Sequence, residues 1–189
     1  MGRSQWFRKR AFNESRFASK DDFVSAFESE KAALYRLAIL LTLKPEDAEL
    51  CLDLALKECI ANSSVWTDWV STWSRRVLIR TAIHLVMRSE AHSSLGVNVH
   101  SGTELSKIQK HDSLHQSGAS PVIVDLPDFD RFVFVICALE RYSLHDCALL
   151  LDRSQSDVCE ARKRISERTA RLSASRVPEY TTLGAVSLH

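Results

Sequence analysis

The 189-residue chain suits one large domain or two small ones, and its hydrophobic fraction of 45% and charged fraction of 26% are ordinary for a globular protein. With only 5 glycines and 4 prolines it has few helix breakers, which favours an all-α fold over a many-stranded sheet. The formal net charge is +1, but residues 1–20 and 153–176 are basic while residues 21–60 carry an excess of acids, which suggests two partners of opposite charge.

After a basic tail at residues 1–20, a three-helix module is predicted over residues 21–88. Apolar residues recur at steps of three and four over Asp21–Leu43, which predicts one helix. Lys44 and Pro45 break that pattern, and Pro45 suits the first turn of a second helix that runs to about Ala61. The module therefore begins with two helices joined by a short turn.

The third helix of this module is predicted at about Val65–Arg88. The spacing of Trp66, Trp69 and Trp73 favours packing in the core, with stacking on unpaired nucleic-acid bases as the alternative. Polar side chains also recur at every fourth position and form one ridge, which either follows a phosphate backbone or is a solvated face. The ridge residues are Arg76, Arg80, His84 and Arg88.

The composition changes over residues 89–125, where Ser, His, Gly, Asn, Gln and Lys dominate, and a flexible linker is predicted. A second helical module is predicted over residues 126–172, followed by a C-terminal tail at residues 173–189. Its first helix runs from Pro127 through Arg141, and Ser143 and Ser154 can cap two more helices.

Two short helices joined by the three-residue turn Asp152-Arg153-Ser154, the second helix being basic, are typical of a helix-turn-helix. In that motif the second helix enters the major groove and its outer side chains contact bases and phosphates. An ordinary helical hairpin with a solvated basic face is the alternative. The candidate DNA-binding residues are Arg153, Gln155, Ser156, Cys159, Arg162 and Lys163.

The remaining sequence features argue against several other classes of protein. The five cysteines form no C-x-x-C pair and mostly fall on apolar positions, which indicates buried thiols in a reducing compartment. The N-terminus has no apolar signal core, and the longest apolar run, Phe132–Leu139, is too short for a membrane span, so a cytoplasmic protein without a membrane partner is expected. No catalytic motif is present, so we expect no enzyme, no catalytic residue, no metal and no cofactor.

Two segments resemble extracytoplasmic-function sigma factors of the sigma-70 family. Asp21–Glu49, which reads DDFVSAFESEKAALYRLAILLTLKPEDAE, is similar to the start of their polymerase-binding region, with its Phe-led helix, L-Y-R-L-A, short turn and D-A-E-D. Leu126–Val158 is similar to their C-terminal region, with L-P, an apolar helix, Y-S-x-x-x-x-A-x-x-L and a turn. The resemblance implies an all-α, divergent sigma-like protein with a region-2-like module and a helix-turn-helix.

The same resemblance implies that the N-terminal module binds the polymerase clamp and melts the minus-ten element, while the C-terminal module binds the minus-thirty-five element. The partners would be core RNA polymerase and promoter DNA, and an anti-sigma factor could be a third. Polymerase binding is assigned to the acidic positions of the second helix, which are Glu46, Asp47, Glu49 and Asp53.

Leu50 and Leu54 stand in the second helix where the resemblance leads one to expect polar residues. They favour two alternatives. The first is a sigma-like protein that acts as a stand-alone helix-turn-helix regulator. The second is a protein-binding adaptor without polymerase activity, for example one that sequesters an anti-sigma partner.

Overall fold

The computed structural model describes residues 17–61, 64–94 and 121–174. Within those ranges the chain is built from helices joined by short turns, so the predicted all-α fold is confirmed for the described residues. The chain divides into two compact units, Met1–Ser120 and Pro121–His189. None of the described helices combines the length and the apolar character that crossing a bilayer requires.

The first unit contains helices α1 (Lys20–Ser29), α2 (Lys31–Thr42), α3 (Pro45–Ala61) and α4 (Val70–Ser94), and a 3-10 turn at Thr67–Trp69 leads into α4. Helix α4 packs against α1, α2 and α3, so it is the centre of the unit. Large apolar side chains of α1, α2 and α4 form the core, and α3 contributes the smaller Ala48, Cys51, Ala55 and Cys59. The fully buried large side chains include Phe23, Leu34, Ile39, Leu41, Leu78 and Ile79.

The single helix predicted over Asp21–Leu43 is wrong, because the chain leaves helical geometry at Glu30, where φ is −103° and ψ is 9°. Glu30 accepts hydrogen bonds from Ser71 and Arg75 of α4, and its carboxylate oxygen lies 3.1 Å from Arg75. These contacts, Ser71 first and then Arg75, lower the pKa of Glu30 against the opposing effect of burial. The break between α1 and α2 thus coincides with the contacts that Glu30 makes to α4, a helix distant in sequence.

Other boundaries also differ from the sequence-based ones. Ser19 caps α1 in a capping box with Asp22, and Ala18 is buried, so the end of the predicted tail of residues 1–20 is part of the folded first unit. Helix α4 continues to Ser94, past the predicted end at Arg88. Of the predicted linker, residues 95–120 lie outside the described residues, as do residues 1–16 and 175–189 of the predicted tails.

The second unit contains α5 (Pro121–Val124), α6 (Asp128–Val133) with a π-helical continuation at Phe134–Leu139, α7 (Leu144–Leu151) and α8 (Gln155–Ala174). Helix α8 packs against both α6 and α7. Ile123 and Leu126 are buried, so the order of this unit starts before the predicted boundary at residue 126. The buried side chains of α8 are Val158, Ala161 and Ile165.

The helix predicted from Pro127 through Arg141 is not regular along its length. From Phe134 to Leu139 it widens into a π-helix, and it closes with a hydrogen bond from the Glu140 N–H to the Val135 carbonyl at 2.9 Å. Val133, Val135 and Ile136 are all fully buried. An α-helix turns only one stripe of side chains toward the core, so it cannot bury every residue of an uninterrupted apolar run. The wider π-helical turn lets adjacent residues face the core.

Candidate nucleic-acid interface

The turn between α7 and α8 has the form predicted from the sequence. Helix α7 ends at Leu151, and Asp152 adopts the left-handed conformation with φ 50° and ψ 50°. The N–H of Arg153 then donates to the Ala148 carbonyl at 3.0 Å, which satisfies one of the last carbonyls of α7. Asparagine, aspartate and glycine tolerate this backbone geometry better than other residues do, so Asp152 takes the place that glycine often has in such turns.

The predicted cap of the second helix is also confirmed. The Asp157 N–H donates to Ser154 Oγ at 3.1 Å, and the Ser154 N–H donates to Asp157 Oδ2 at 3.2 Å, which completes a capping box. The predicted cap of α7 by Ser143 forms as well: the Asp146 N–H donates to Ser143 Oγ at 3.1 Å, and the Ser143 hydroxyl donates to Asp146 Oδ2. The caps and the tight turn fix where α8 begins, so its first turn is presented in one defined orientation.

The candidate DNA-binding residues of α8 are mostly open to solvent. Arg153, Gln155 and Ser156 are exposed at its start, and Arg162 and Lys163 are exposed further along, whereas Cys159 is half-buried and has little surface to offer. At 100° per residue, Ser156 and Lys163 point away from the buried side of the helix. One helix therefore presents Gln155 and Ser156 in its first turn and the basic Lys163 further along its outer side.

Acidic residues share that outer surface. Glu160 and Glu167 stand three residues before and four residues after Lys163, so all three side chains lie on one face of α8. Arg162 lies to one side, where it lines a cavity of about 200 Å³ beside the π-helical segment, together with Cys137. The outer face of α8 is therefore of mixed charge, and its attraction for a phosphate backbone rests on few cations.

An ion pair that the sequence analysis missed holds α8 against α6. Arg164 donates to both carboxylate oxygens of Asp130, Nε to Oδ2 at 3.2 Å and Nη2 to Oδ1 at 2.6 Å. The hydrogen bond to Asp130 raises the pKa of Arg164. We call this pair the Asp130–Arg164 latch. It withdraws one arginine of α8 from the set that could contact DNA, and a bidentate pair across 34 residues leaves no local signal in the sequence.

Next to the latch, Arg131 is buried, pairs with Asp128 and places its guanidinium 5.4 Å from the centre of the Phe132 ring. An aromatic face attracts a cation at that distance. In the sequence Asp128 and Asp130 are simply acids after Pro127, which is typical of a helix start. Asp128 pairs with Arg131 within α6, whereas Asp130 also joins the first turn of α6 to α8 through Arg164.

In the first unit, the predicted ridge lies along one side of α4, where Arg80, His84 and Arg88 are exposed and Arg76 is half-buried. Trp69 lies in the 3-10 turn that leads into α4, seven residues before Arg76, and we call Trp69 and the ridge together the α4 stripe. Arg80 in the stripe is paired with Glu58 of α3. The α4 stripe consists of Trp69, Arg76, Arg80, His84 and Arg88.

The prediction that the tryptophans pack in the core is wrong for two of them. Trp66 is 47% exposed and Trp69 is 64% exposed, whereas Trp73 is half-buried. The reason is that α4 begins only at Val70, so Trp66 and Trp69 belong to the segment that leads into it and do not follow its helical period. Large exposed aromatic side chains beside basic ones are typical of binding surfaces.

Trp66 is packed against Phe17. Its ring stacks on Phe17 with the ring centres 4.8 Å apart and the planes at 22°. The two residues form an antiparallel bridge, and the Ala18 N–H donates to the Val65 carbonyl at 2.7 Å. We call this the Phe17–Trp66 pair. The backbone of Trp66 also accepts a hydrogen bond from the Trp69 N–H at 2.9 Å, so the pair is linked to the turn that carries Trp69.

The candidate polymerase-binding residues lie along α3 but are not equivalent. Glu46, Glu49 and Asp53 are exposed, while Asp47 is half-buried and pairs with Lys44 at 3.4 Å. Glu49 and Asp53 line a groove of about 610 Å³ between α3 and the helices α1 and α2, which we call the acidic groove. The groove walls also include Val24, Phe27, Glu28, Lys31, Tyr35, Leu52 and Leu56.

The buried cysteines act as apolar core residues. Cys51 donates to the Leu78 carbonyl at 3.4 Å, and burial raises the pKa of its thiol to about 12. Burial likewise raises the pKa of Cys59 to about 11, and burial raises the pKa of Cys147 as well. Among the residues that the structure describes, no group of His, Cys, Asp and Glu is arranged to hold a metal ion.

Comparison with known proteins adds no assignment to this geometry. No protein-family model matches the chain, and no curated protein matches it either.

Proposed function

We propose that the chain is a sigma-like transcription initiation factor that binds core RNA polymerase and promoter DNA. The observation that carries the proposal is the exposure of Trp66 and Trp69 at the start of the α4 stripe. Aromatic faces stack on unpaired bases, and a line of basic side chains beside them follows the phosphate backbone of a single strand. The second unit adds a helix-turn-helix suited to duplex DNA.

The combination separates this function from that of a stand-alone regulator. A regulator that reads only duplex DNA needs the helix-turn-helix, and an exposed aromatic surface on the other unit would serve no purpose in it. A factor that assists strand separation needs one surface for the duplex and another for the bases that leave it. The resemblance of Asp21–Glu49 and Leu126–Val158 to sigma factors supports the same division.

The acidic groove supports the polymerase part of the proposal. Its rim carries Glu28, Glu49 and Asp53 against the single base Lys31, and its floor is apolar. A basic amphipathic helix complements such a groove both in charge and in apolar contact, because charge complementarity speeds encounter and apolar burial gives affinity.

The test of the single-strand surface uses the full chain, a fluorescently labelled single-stranded oligonucleotide and a blunt duplex, titrated by anisotropy. Trp69→Ala should weaken single-strand binding about five- to hundredfold, since one stacked base contributes about 1–3 kcal/mol, and should leave duplex binding unchanged. Met87→Ala is the matched control, because Met87 is 48% exposed on the same side of α4 but has no aromatic face. Equal effects of the two substitutions would contradict the proposal.

The polymerase surface is tested by co-purification of the full chain with core enzyme. Glu49→Lys combined with Asp53→Lys reverses two charges of the acidic groove and should reduce recovery of the complex. Asp68→Lys changes an exposed acid outside the groove and should have no effect. Transcription from the host's own promoters with core enzyme and the parent chain then tests initiation itself.

A protein-binding adaptor is the second candidate function, and one observation favours it. Leu50 is 46% exposed and Leu54 is 38% exposed, and their spacing places them on one face of α3. Exposed leucines in this arrangement suit a protein partner of apolar character. The adaptor function predicts that core enzyme or another protein co-purifies with the chain while no transcript is made.

A further inference from the structure

A side-chain contact spans the turn of the helix-turn-helix. Gln155, the first residue of α8, places its Nε2 atom 3.2 Å from Nδ1 of His145, which lies in the first turn of α7. Both side chains are exposed to solvent. The Ser143 cap and the Ser154 capping box fix the starts of the two helices, and the tight turn and the packing of α7 on α8 hold the backbones of His145 and Gln155 close together.

The contact uses a defined part of the glutamine amide. The amide offers one acceptor oxygen and two N–H donors, and an imidazole nitrogen that accepts a hydrogen bond must be unprotonated. The N–H donated to His145 leaves free the other N–H and the oxygen, which form the opposite edge of the amide. A donor beside an acceptor on one edge is the pattern that pairs with N7 and the N6 amino group of adenine in the major groove.

We propose that His145 is a positioning residue that turns the amide of Gln155 so that it reads adenine in the major groove. The inference rests on the proposed DNA binding and deepens it by naming a specificity determinant. An isolated exposed glutamine samples many rotamers and can present either edge of its amide. Turned over, the same amide would present both N–H groups outward and would suit the two acceptors of guanine, so the orientation held by His145 selects the base.

The experiment measures base preference with the full chain and a pool of random-sequence DNA duplexes, selected by binding and then sequenced. His145→Leu removes the acceptor, and His145→Gln restores one through its amide oxygen. Leu149→Ala is the matched control, because Leu149 is exposed one turn further along the same side of α7. Gln155→Ala identifies the base pair that depends on Gln155.

At that base pair the parent should select adenine. His145→Leu should reduce the preference about fivefold, the change that corresponds to a net hydrogen bond near 1 kcal/mol, while His145→Gln and Leu149→Ala should retain it. In the Gln155→Ala background, His145→Leu should change nothing further at this position, because a positioning residue acts only through the residue it positions.

Three results would overturn the inference while the proposed DNA binding stands. Guanine could be selected at the position that depends on Gln155, the preference could survive His145→Leu, or His145→Leu could weaken binding to all sequences equally and flatten its salt dependence, which would mark a phosphate contact. A parent chain that binds no duplex from the pool at low salt would instead overturn the proposed function, and this inference with it.

Discussion

Breaking the Asp130–Arg164 latch should destabilise the second unit, and the two halves of the latch should not be equivalent. The Asp130 side chain is only 9% exposed, whereas that of Arg164 is 52% exposed. Arg164→Met therefore leaves a buried carboxylate without its partner, while Asp130→Asn leaves a guanidinium that water can reach. Hydrogen bonds to charged groups set the size of the effect, and the solvent around Arg164 reduces it. We expect the free energy of unfolding to fall by about 2 kcal/mol for Arg164→Met and by about 1 kcal/mol for Asp130→Asn.

The assay is urea unfolding of the full chain followed by two signals. All four tryptophans lie before residue 121, so tryptophan fluorescence reports on the first unit, while circular dichroism reports on the helices of both. With a denaturant slope of about 1 kcal/mol per molar for a unit of this size, Arg164→Met should lower the urea midpoint of the second unit by about 2 M. The fluorescence transition should stay where it is.

The control and the coupling decide whether the latch is the cause. Arg168→Met removes an exposed arginine one turn along α8 and should change the free energy of unfolding by less than about 0.5 kcal/mol. The double variant Asp130→Asn, Arg164→Met should be no less stable than Arg164→Met alone, because the two residues lose one shared interaction. Equal single effects that simply add in the double variant would refute the reasoning.

Three further predictions follow from backbone geometry, ion pairing and burial. Asp152→Gly should raise the free energy of unfolding of the second unit by about 1 kcal/mol, measured by thermal unfolding followed with circular dichroism, because glycine occupies the left-handed region freely. A lower stability of the variant would contradict this prediction. The pKa of Glu30 is lowered from its ordinary 4.5, so its contribution to the stability of the first unit is present above pH 4.5 and is lost as pH falls through the folded-state pKa. Glu30→Gln should therefore be less stable than the parent at pH 7, measured by tryptophan fluorescence, and the two stabilities should converge in acid. Cys51, with its thiol pKa raised to about 12, should resist iodoacetamide at pH 8 until urea unfolds the chain, and mass spectrometry showing it alkylated as fast as the half-buried Cys159 would contradict this.

The sequence predicted those features that depend on local chemistry. Apolar periodicity placed α3, and the serine caps with their acidic partners placed α7, α8 and the turn between them. Within that turn the left-handed conformation falls on Asp152, whose short polar side chain tolerates it. These signals act over a few residues, so they are visible in a sequence without any knowledge of the fold.

The features that the sequence did not reveal depend on contacts between distant residues. Phe27 and Leu34 keep the helical period across Glu30, so periodicity shows no break, and the break coincides with contacts that Ser71 and Arg75 of α4 make to Glu30. The Asp130–Arg164 latch joins residues that no spacing rule connects. For Trp66 and Trp69 the error was to extend a helical wheel beyond the start of α4 at Val70, which turned two exposed side chains into core residues.

The Phe17–Trp66 pair couples the backbone at Phe17 mechanically to the aromatic surface of the first unit. The Ala18–Val65 hydrogen bond is the outermost backbone link of the described unit, and tension applied before Phe17 loads it before any turn of α1. Peeling that link away separates the two rings, so Trp66 loses its support while the four-helix core is still intact. Tension applied at Phe17 therefore acts on the aromatic surface of the first unit, whereas tension applied within α8 acts on the other unit.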